Sequence, residues 1–201
     1  MERDNSGKNH VYVKNTVTQE VKRVIEETTE PIRGYAWVAS KRLIYVQDKG
    51  GDKNYHIYAV DLDGSNKKDL TPFEGVRAEI INELKEQPDY IIIQMNKEHP
   101  QIFEPYKINI KTGELVKLFE NKDPNNPIAN FEFDKDGNLR GYTQRQNGTE
   151  KVLYYRTAEG KPFEEVVRTN WKGEELMIYW LIKRNVLMKA KKLMKNFLRV
   201  K

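Results

Sequence analysis

Four stretches of this chain repeat one local pattern, and their spacing restricts the fold more than any other feature of the sequence. They are HVYVKNTVTQEVKRV (10–24), YHIYAVDLDGSNKKDL (55–70), FEPYKINIKTGELVKLF (103–119) and KVLYYRTAEGKPFEEVV (151–167). Each reads as a strand, a tight turn and a strand, with the turn residues aligned at Gln19, Gly64, Gly113 and Gly160, at intervals of 45, 49 and 47 residues. Asp63-Gly64 suits the positive φ that two-residue hairpins require, and Thr112-Gly113 and Glu159-Gly160 supply glycine alone. Gln19 lacks that freedom, so the first turn is expected to differ or be strained.

A second pair of strands follows each of the first three hairpins. IRGYAW (32–37) pairs with RLIYVQ (42–47), VRAEIINEL (76–84) with YIIIQM (90–95), and IANFEF (128–133) with NLRGYTQ (138–144) across the turn DKDG. Four short strands per repeat, bounded by Gly, Pro, Asn and Asp, are the signature of a propeller blade. Helical repeats need apolar residues at three- and four-residue spacing over long windows, which β-branched runs such as Tyr90 to Met95 do not provide. The expected fold is all-β: a partial β-propeller of about three four-stranded antiparallel blades plus an extra hairpin, followed by a basic helix. The expected organisation is a flexible N-terminus at 1–9, the partial propeller at 10–173 and a basic amphipathic tail at 174–201.

QDKGGDKNYHIYAVDLDGSNKKDLTPFEGVRA (47–78) resembles the N-terminal propeller of the prolyl oligopeptidase family of serine peptidases, in its dipeptidyl and acylaminoacyl peptidase branches. The likeness is carried by the Asp48-Lys49-Gly50-Gly51-Asp52-Lys53-Asn54 hairpin, the Tyr55-His56-Ile57-Tyr58 strand, the Asp63-Gly64 turn and Leu70-Thr71-Pro72-Phe73. That family usually has Glu where this chain has Lys53, a departure that leaves the fold expectation intact. TolB-like propellers share much of the same grammar and have no peptidase domain.

The resemblance implies a propeller that sits over an α/β-hydrolase domain and filters peptides by size. The hydrolase nucleophile needs a G-x-S-x-G elbow. The three serines, Ser6, Ser40 and Ser65, lie in other contexts, and no alternating strand–helix pattern follows the propeller. The expectation is therefore a non-catalytic propeller fragment, truncated before its catalytic domain, with no catalytic, cofactor-binding or metal residues. The alternative is a stand-alone TolB-like scaffold for protein–protein interaction.

The remaining candidates have plainer readings. Asp134, Asp136 and Asn138 have the alternate spacing of a calcium loop, but the distal Glu is missing, so a β-turn is expected. Asp48 and Asp52 flank Gly50-Gly51 and suit a hairpin cap better than a cation site. His10, His56 and His99 are too far apart in sequence and repeat position to suggest a ligand set, and His56 reads as a packing or edge residue. Gly50-Gly51 is no phosphate loop, since no Lys-Ser/Thr or helix follows it. Asn147-Gly148-Thr149 matches a glycosylation acceptor and reads as a hairpin turn.

Charge concentrates at the end of the chain. Of a net +5, residues 174–201 hold eight basic side chains against Glu174 and Glu175, so nucleic acid is not an expected partner of the body. Three readings compete for this tail: a basic helix on an anionic membrane or partner groove, a helix covering an exposed propeller edge, and a run-on after a lost reading frame. With no cysteine and a polar stretch from Met1 to His10, the chain is expected to be cytoplasmic. Expected partners are a separately encoded hydrolase fragment, or further copies joined through open strand edges.

Overall fold

A computed structural model describes residues 2–38 and 41–169. Among these residues the regular elements are all strands. Three form the first sheet, β1 (Glu2–Arg3), β2 (Asn9–Lys14) and β3 (Val21–Ile25), in that order. Three four-stranded antiparallel sheets follow. Blade one is β4 (Ile32–Val38), β5 (Arg42–Asp48), β6 (Tyr55–Asp61) and β7 (Lys68–Asp69). Blade two is β8 (Ala78–Asn82), β9 (Tyr90–His99), β10 (Ile102–Asn109) and β11 (Leu115–Lys117). Blade three is β12 (Ile128–Phe133), β13 (Leu139–Gln146), β14 (Glu150–Tyr155) and β15 (Glu164–Thr169).

This is the partial propeller that the repeat predicts. The boundaries between sheets fall before each inner pair, so an inner pair joins the hairpin that follows it. Register shows why: β5 pairs with β6 over its whole length, from Arg42↔Asp61 to Asp48↔Tyr55, while the chain after β3 passes to a new sheet. Strand β1 falls within residues 1–9. The basic stretch expected as a helix, 174–201, and the expected boundary at Gly173 lie outside the described residues.

The turns obey the sequence alignment. Gln19, Gly64, Gly113 and Gly160 all have positive φ, at 62°, 82°, 77° and 74°. The strain expected at Gln19 is therefore real, because a side chain in this region costs about 1 kcal/mol that glycine avoids. The loops are longer than two residues, however. In the first, the Asn15 side chain accepts the Val17 and Thr18 amides, Gln19 N–H donates to Asn15 O, and Asn15 N–H donates to Glu20 O. Asn109 repeats every one of these bonds with Lys111, Thr112, Gly113 and Glu114. A leading Asn that binds two amides closes a wider loop than Asp-Gly alone would. Asp63 is correspondingly not among the positive-φ residues.

The chain divides between Glu120 and Asn121 into two compact units. In the first, both faces of blade one are buried, and the alternation of each strand sorts its side chains between them. Ile44, Ile57 and Ala59 join Ala78, Ile91, Ile93, Met95, Tyr106 and Ile108 of blade two in one core cluster. Leu43, Tyr45 and Val60 face the other way and join Val11, Val24 and Ile25 of the first sheet. A fully buried Ile such as Ile91 or Ile93 contributes about 2 kcal/mol of transfer free energy.

In the second unit, Asn121 is buried and pins the start of blade three. Its Nδ2 donates to Ile128 O and its Oδ1 accepts Ile128 N–H, both at 3.0 Å. Glu27 does the same work for blade one, where its Oε2 accepts Ile32 N–H at 3.0 Å. The Gln side chains on the second strands also match: Gln47 donates to Glu30 O and Gln144 to Asn126 O.

Candidate functional site

Residues that hold chemistry lie mainly on β2, β6 and β10. Counting back from the turn-opening residues Asn15, Asp61 and Asn109 brings His10, His56 and Glu104 to one repeat position, each five residues earlier. The sequence reading that separated His10 and His56 by repeat position is thus corrected, since a one-residue difference in loop length hid the match. All three are buried, at 4%, 3% and 5% exposure, and a tyrosine follows two residues later in each case.

In blade one, His56 Nδ1 donates to Asp69 Oδ2 at 2.8 Å, joining the third strand to the fourth. Asp69 Oδ1 accepts Thr71 N–H, and Thr71 Oγ1 accepts Ile57 N–H, so the side chains continue the ladder beyond the short β7. In blade two, Lys117 Nζ donates to Glu104 Oε2 at 2.6 Å, and Tyr106 hydroxyl donates to the same oxygen. Asp69 and Lys117 are equivalent, facing Tyr58 and Tyr106 across their ladders. Blade two therefore carries the pair of blade one with carboxylate and nitrogen donor exchanged between the strands. The bond to Glu104 raises the Lys117 pKa, and burial pushes Tyr106 up to about 12.

His10 is wired differently. Its Nδ1 accepts Glu27 N–H at 3.2 Å, which leaves Nε2 to carry the proton and donate to Asp4 Oδ2 at 3.1 Å. Asp4 Oδ1 also accepts Ser6 hydroxyl at 2.7 Å, and these bonds hold the Asp4 carboxyl well below the usual range. Ser, Asp and His thus meet, but in an order that cannot make a nucleophile. The carboxylate stands between hydroxyl and imidazole, so the serine faces only a weakly basic carboxylate and the imidazole cannot take its proton. Ser65 is spent in the same way, on Asp63 Oδ1.

The other sequence candidates are local caps. Asp134 Oδ1 accepts the Asp136 and Asn138 amides, and its Oδ2 takes Asn138 Nδ2 and Arg140 Nη1. Burial works to raise its pKa, yet these donors outweigh it and hold the group low. That is turn chemistry, and Asp4-Asn5-Ser6-Gly7-Lys8 repeats its backbone bonds. Asp48 Oδ1 accepts Gly51 N–H, and Asp52 Oδ1 accepts Asn54 N–H. Glu30 lies against this hairpin, where burial and then the Asp48 carboxylate raise its pKa. Asn147 is exposed in the β13–β14 turn with φ 50° and donates through Nδ2 to Glu150. His99 is exposed and caps its own turn at Gln101 N–H. Among the described residues, no group of three or more His, Asp or Glu side chains is arranged to hold a metal ion.

Two aromatic features escaped the sequence reading. Tyr45 and Tyr58 stack with centroids 5.0 Å apart, and Lys67 Nζ sits over both rings at 5.5 and 5.7 Å. The Tyr45 hydroxyl is fully buried without a hydrogen-bond partner, and burial raises its pKa. Two guanidinium groups, those of Arg33 and Arg77, each lie 5.5 Å from the centroid of the Tyr55 ring.

No family model matches the chain. It is 34% identical over 161 residues to dipeptidyl aminopeptidase BIII of Pseudoxanthomonas mexicana, a match that takes in 75% of this chain and 23% of that protein. The chain thus spans about a quarter of that relative's length. Among solved structures, it resembles one from a study of two prolyl endopeptidases, with a TM-score of 0.53 and 13% identity over 79% of this chain and 26% of that one. It also resembles TolB from Acinetobacter baumannii, with a TM-score of 0.51 and 15% identity over 80% of this chain and 38% of that one. At such identities the two structures speak for the fold alone, and the peptidase relative supplies the kinship. The sheets, the stretch 47–78 and this relative agree that the chain belongs to the propeller region of the prolyl oligopeptidase family.

Proposed function

We propose that this chain is the propeller portion of a prolyl-oligopeptidase-like serine peptidase, and that it controls peptide access to an α/β-hydrolase domain without hydrolysing peptides itself. The observation that carries this reading is the 34% identity to a dipeptidyl aminopeptidase, over residues that fold into blades. The wiring of Asp4, Ser6 and His10 supports the non-catalytic half, because the Ser6 hydroxyl donates to a weakly basic carboxylate and not to the imidazole. The hydrolase partner is either the remainder of a longer polypeptide or a separately encoded chain.

The test is a chromogenic assay with dipeptidyl and acyl-peptide substrates on the purified chain. No turnover above a blank is expected, and turnover that resists removal of contaminating peptidases overturns the reading. Co-purification from the native source should then recover a serine hydrolase. A stand-alone scaffold is the second reading, favoured by the likeness of the fold to TolB. It gains if the native partner proves to be a protein without hydrolase activity.

A further inference from the structure

The turn between β13 and β14 is Asn147-Gly148-Thr149, and it contains the one Asn-Gly pair in the sequence. All of its residues are exposed. Asparagine followed by glycine is where a peptide chain most readily attacks itself. The next backbone nitrogen can reach the side-chain carbonyl carbon, and glycine has no Cβ to obstruct the approach. Two structural features leave this nitrogen available. Gly148 N–H has no hydrogen-bond partner among the described residues. An atom at its Cβ position would meet nothing within 4 Å.

Other asparagines are guarded at that amide. The N–H after Asn5 donates to Asp4 Oδ1 at 2.9 Å, and the N–H after Asn109 donates to Asp89 O at 2.9 Å. Asn126 precedes Pro127, which has no N–H. At Asn147 the bonds fall elsewhere. Its own N–H donates to Asn126 Oδ1 at 3.4 Å, and its Nδ2 donates to Glu150 Oε2 at 2.8 Å. These bonds fasten the residue while the amide that follows it stays open to water.

We propose that Asn147 is a site of spontaneous self-modification that loosens the β13–β14 turn. The Gly148 nitrogen bonds to Asn147 Cγ, the Cγ–Nδ2 bond breaks, and Nδ2 leaves as ammonia with the proton that Gly148 gives up. Water then opens the resulting succinimide at either carbonyl, giving aspartate or isoaspartate. Water is the only co-reactant. The product matters to blade three because Glu150 Oε2 also accepts Arg168 Nη1 of β15, at 2.8 Å. A carboxylate at position 147 removes the amide donor, sets a second negative charge beside Glu150 and competes with it for Arg168. Isoaspartate also adds a carbon to the main chain, inside a turn held at φ 50° and 73°. This site does not depend on the peptidase reading, which an activity assay alone decides.

The test incubates the full chain in mildly alkaline buffer and follows each asparagine by digestion and mass spectrometry, beside a synthetic peptide of residues 142–152. In the folded chain Asn147 should convert ahead of every other asparagine among the described residues. Its isoaspartate product should accept a methyl group from S-adenosylmethionine when an isoaspartyl methyltransferase is added. Gly148→Ala should slow conversion in both chain and peptide, because the new Cβ hinders ring closure. Asn147→Asp carries the charge of the product without the reaction, and it should lower the melting temperature at neutral pH. A folded chain that stays intact at Asn147 while the peptide converts overturns the proposal, since the turn then shields the amide. So does an unchanged rate in Gly148→Ala, or an Asn147→Asp chain that melts with wild type.

Discussion

Replacing Lys117 with Met should destabilise the protein more than replacing its partner Glu104 does. The pair lies at 2.6 Å, with the Glu104 side chain 6% exposed and that of Lys117 31% exposed. At an effective dielectric of 20 the direct attraction is about 6 kcal/mol, most of it offset by the lost hydration of the carboxylate. Without Lys117 that carboxylate stays buried and loses its cation, at a cost of about 2 to 3 kcal/mol. Without Glu104, the ammonium can swing to water, and the main loss is the acceptor of the Tyr106 hydroxyl, about 1 kcal/mol. With both residues changed to Met, the net cost should fall to about 1 kcal/mol, because no stranded charge remains. Urea unfolding followed by circular dichroism measures all three, and the cycle should give a coupling of about 2 kcal/mol. Equal costs for the two single changes, or a double variant as unstable as their sum, would refute the buried-pair reasoning.

Three further outcomes follow from the same structure. Gln19→Gly should stabilise the first sheet by about 0.5 to 1 kcal/mol, because φ 62° suits glycine and the sacrificed Gln19–Thr16 bond is solvent-exposed; a lowered melting temperature counts against it. Tyr45→Phe should leave stability unchanged or raise it by about 1 kcal/mol, since it removes a buried hydroxyl without a partner; a loss of that size would show that the hydroxyl is bonded in solution. Glu30 has a folded pKa above its ordinary 4.5, so its contribution is most favourable below that pH and declines as pH rises through the folded value. Glu30→Gln should therefore raise the melting temperature at pH 7 and lose that advantage in acid, and a gain that does not vary with pH sinks the argument.

The fold was readable because turn chemistry is local. Gln19, Gly64, Gly113 and Gly160 align in sequence and all prove to have positive φ, a backbone demand expressed one residue at a time. The inner strands were equally plain from β-branched runs such as Ile91, Ile92 and Ile93. Which inner pair joins which hairpin was not, since antiparallel neighbours on either side suit the same strand pattern and only register separates them. The buried carboxylate–nitrogen pairs were half legible. His10-Val11-Tyr12, His56-Ile57-Tyr58 and Glu104-Pro105-Tyr106 share an outline, but one residue fewer in the Asp61 loop displaced it when the turns were aligned by glycine. Asp4 beside His10 and Lys67 over two tyrosines depend on chain crossings that no local pattern announces.

The exchange of carboxylate and nitrogen donor also bears on how repeated hairpins find their proper neighbours. The first sheet and blade two close with nearly identical loops, and blades one and two share the strand-three tyrosine, so shape alone discriminates weakly among exchanged fourth strands. Charge does it better. Lys117 brought against His56 loses its carboxylate, and Asp69 brought against Glu104 places two carboxylates in a buried spot. Like charges forced together away from water cost several kcal/mol. Giving blade two the pair of blade one, by Glu104→His with Lys117→Asp, should preserve much of the stability while erasing that discrimination. Refolding at high protein concentration should then yield more strand-exchanged dimer than wild type, measured by size exclusion after dilution. An unchanged dimer fraction would mean that packing and loop length already select the partner, and that the inversion is incidental to assembly.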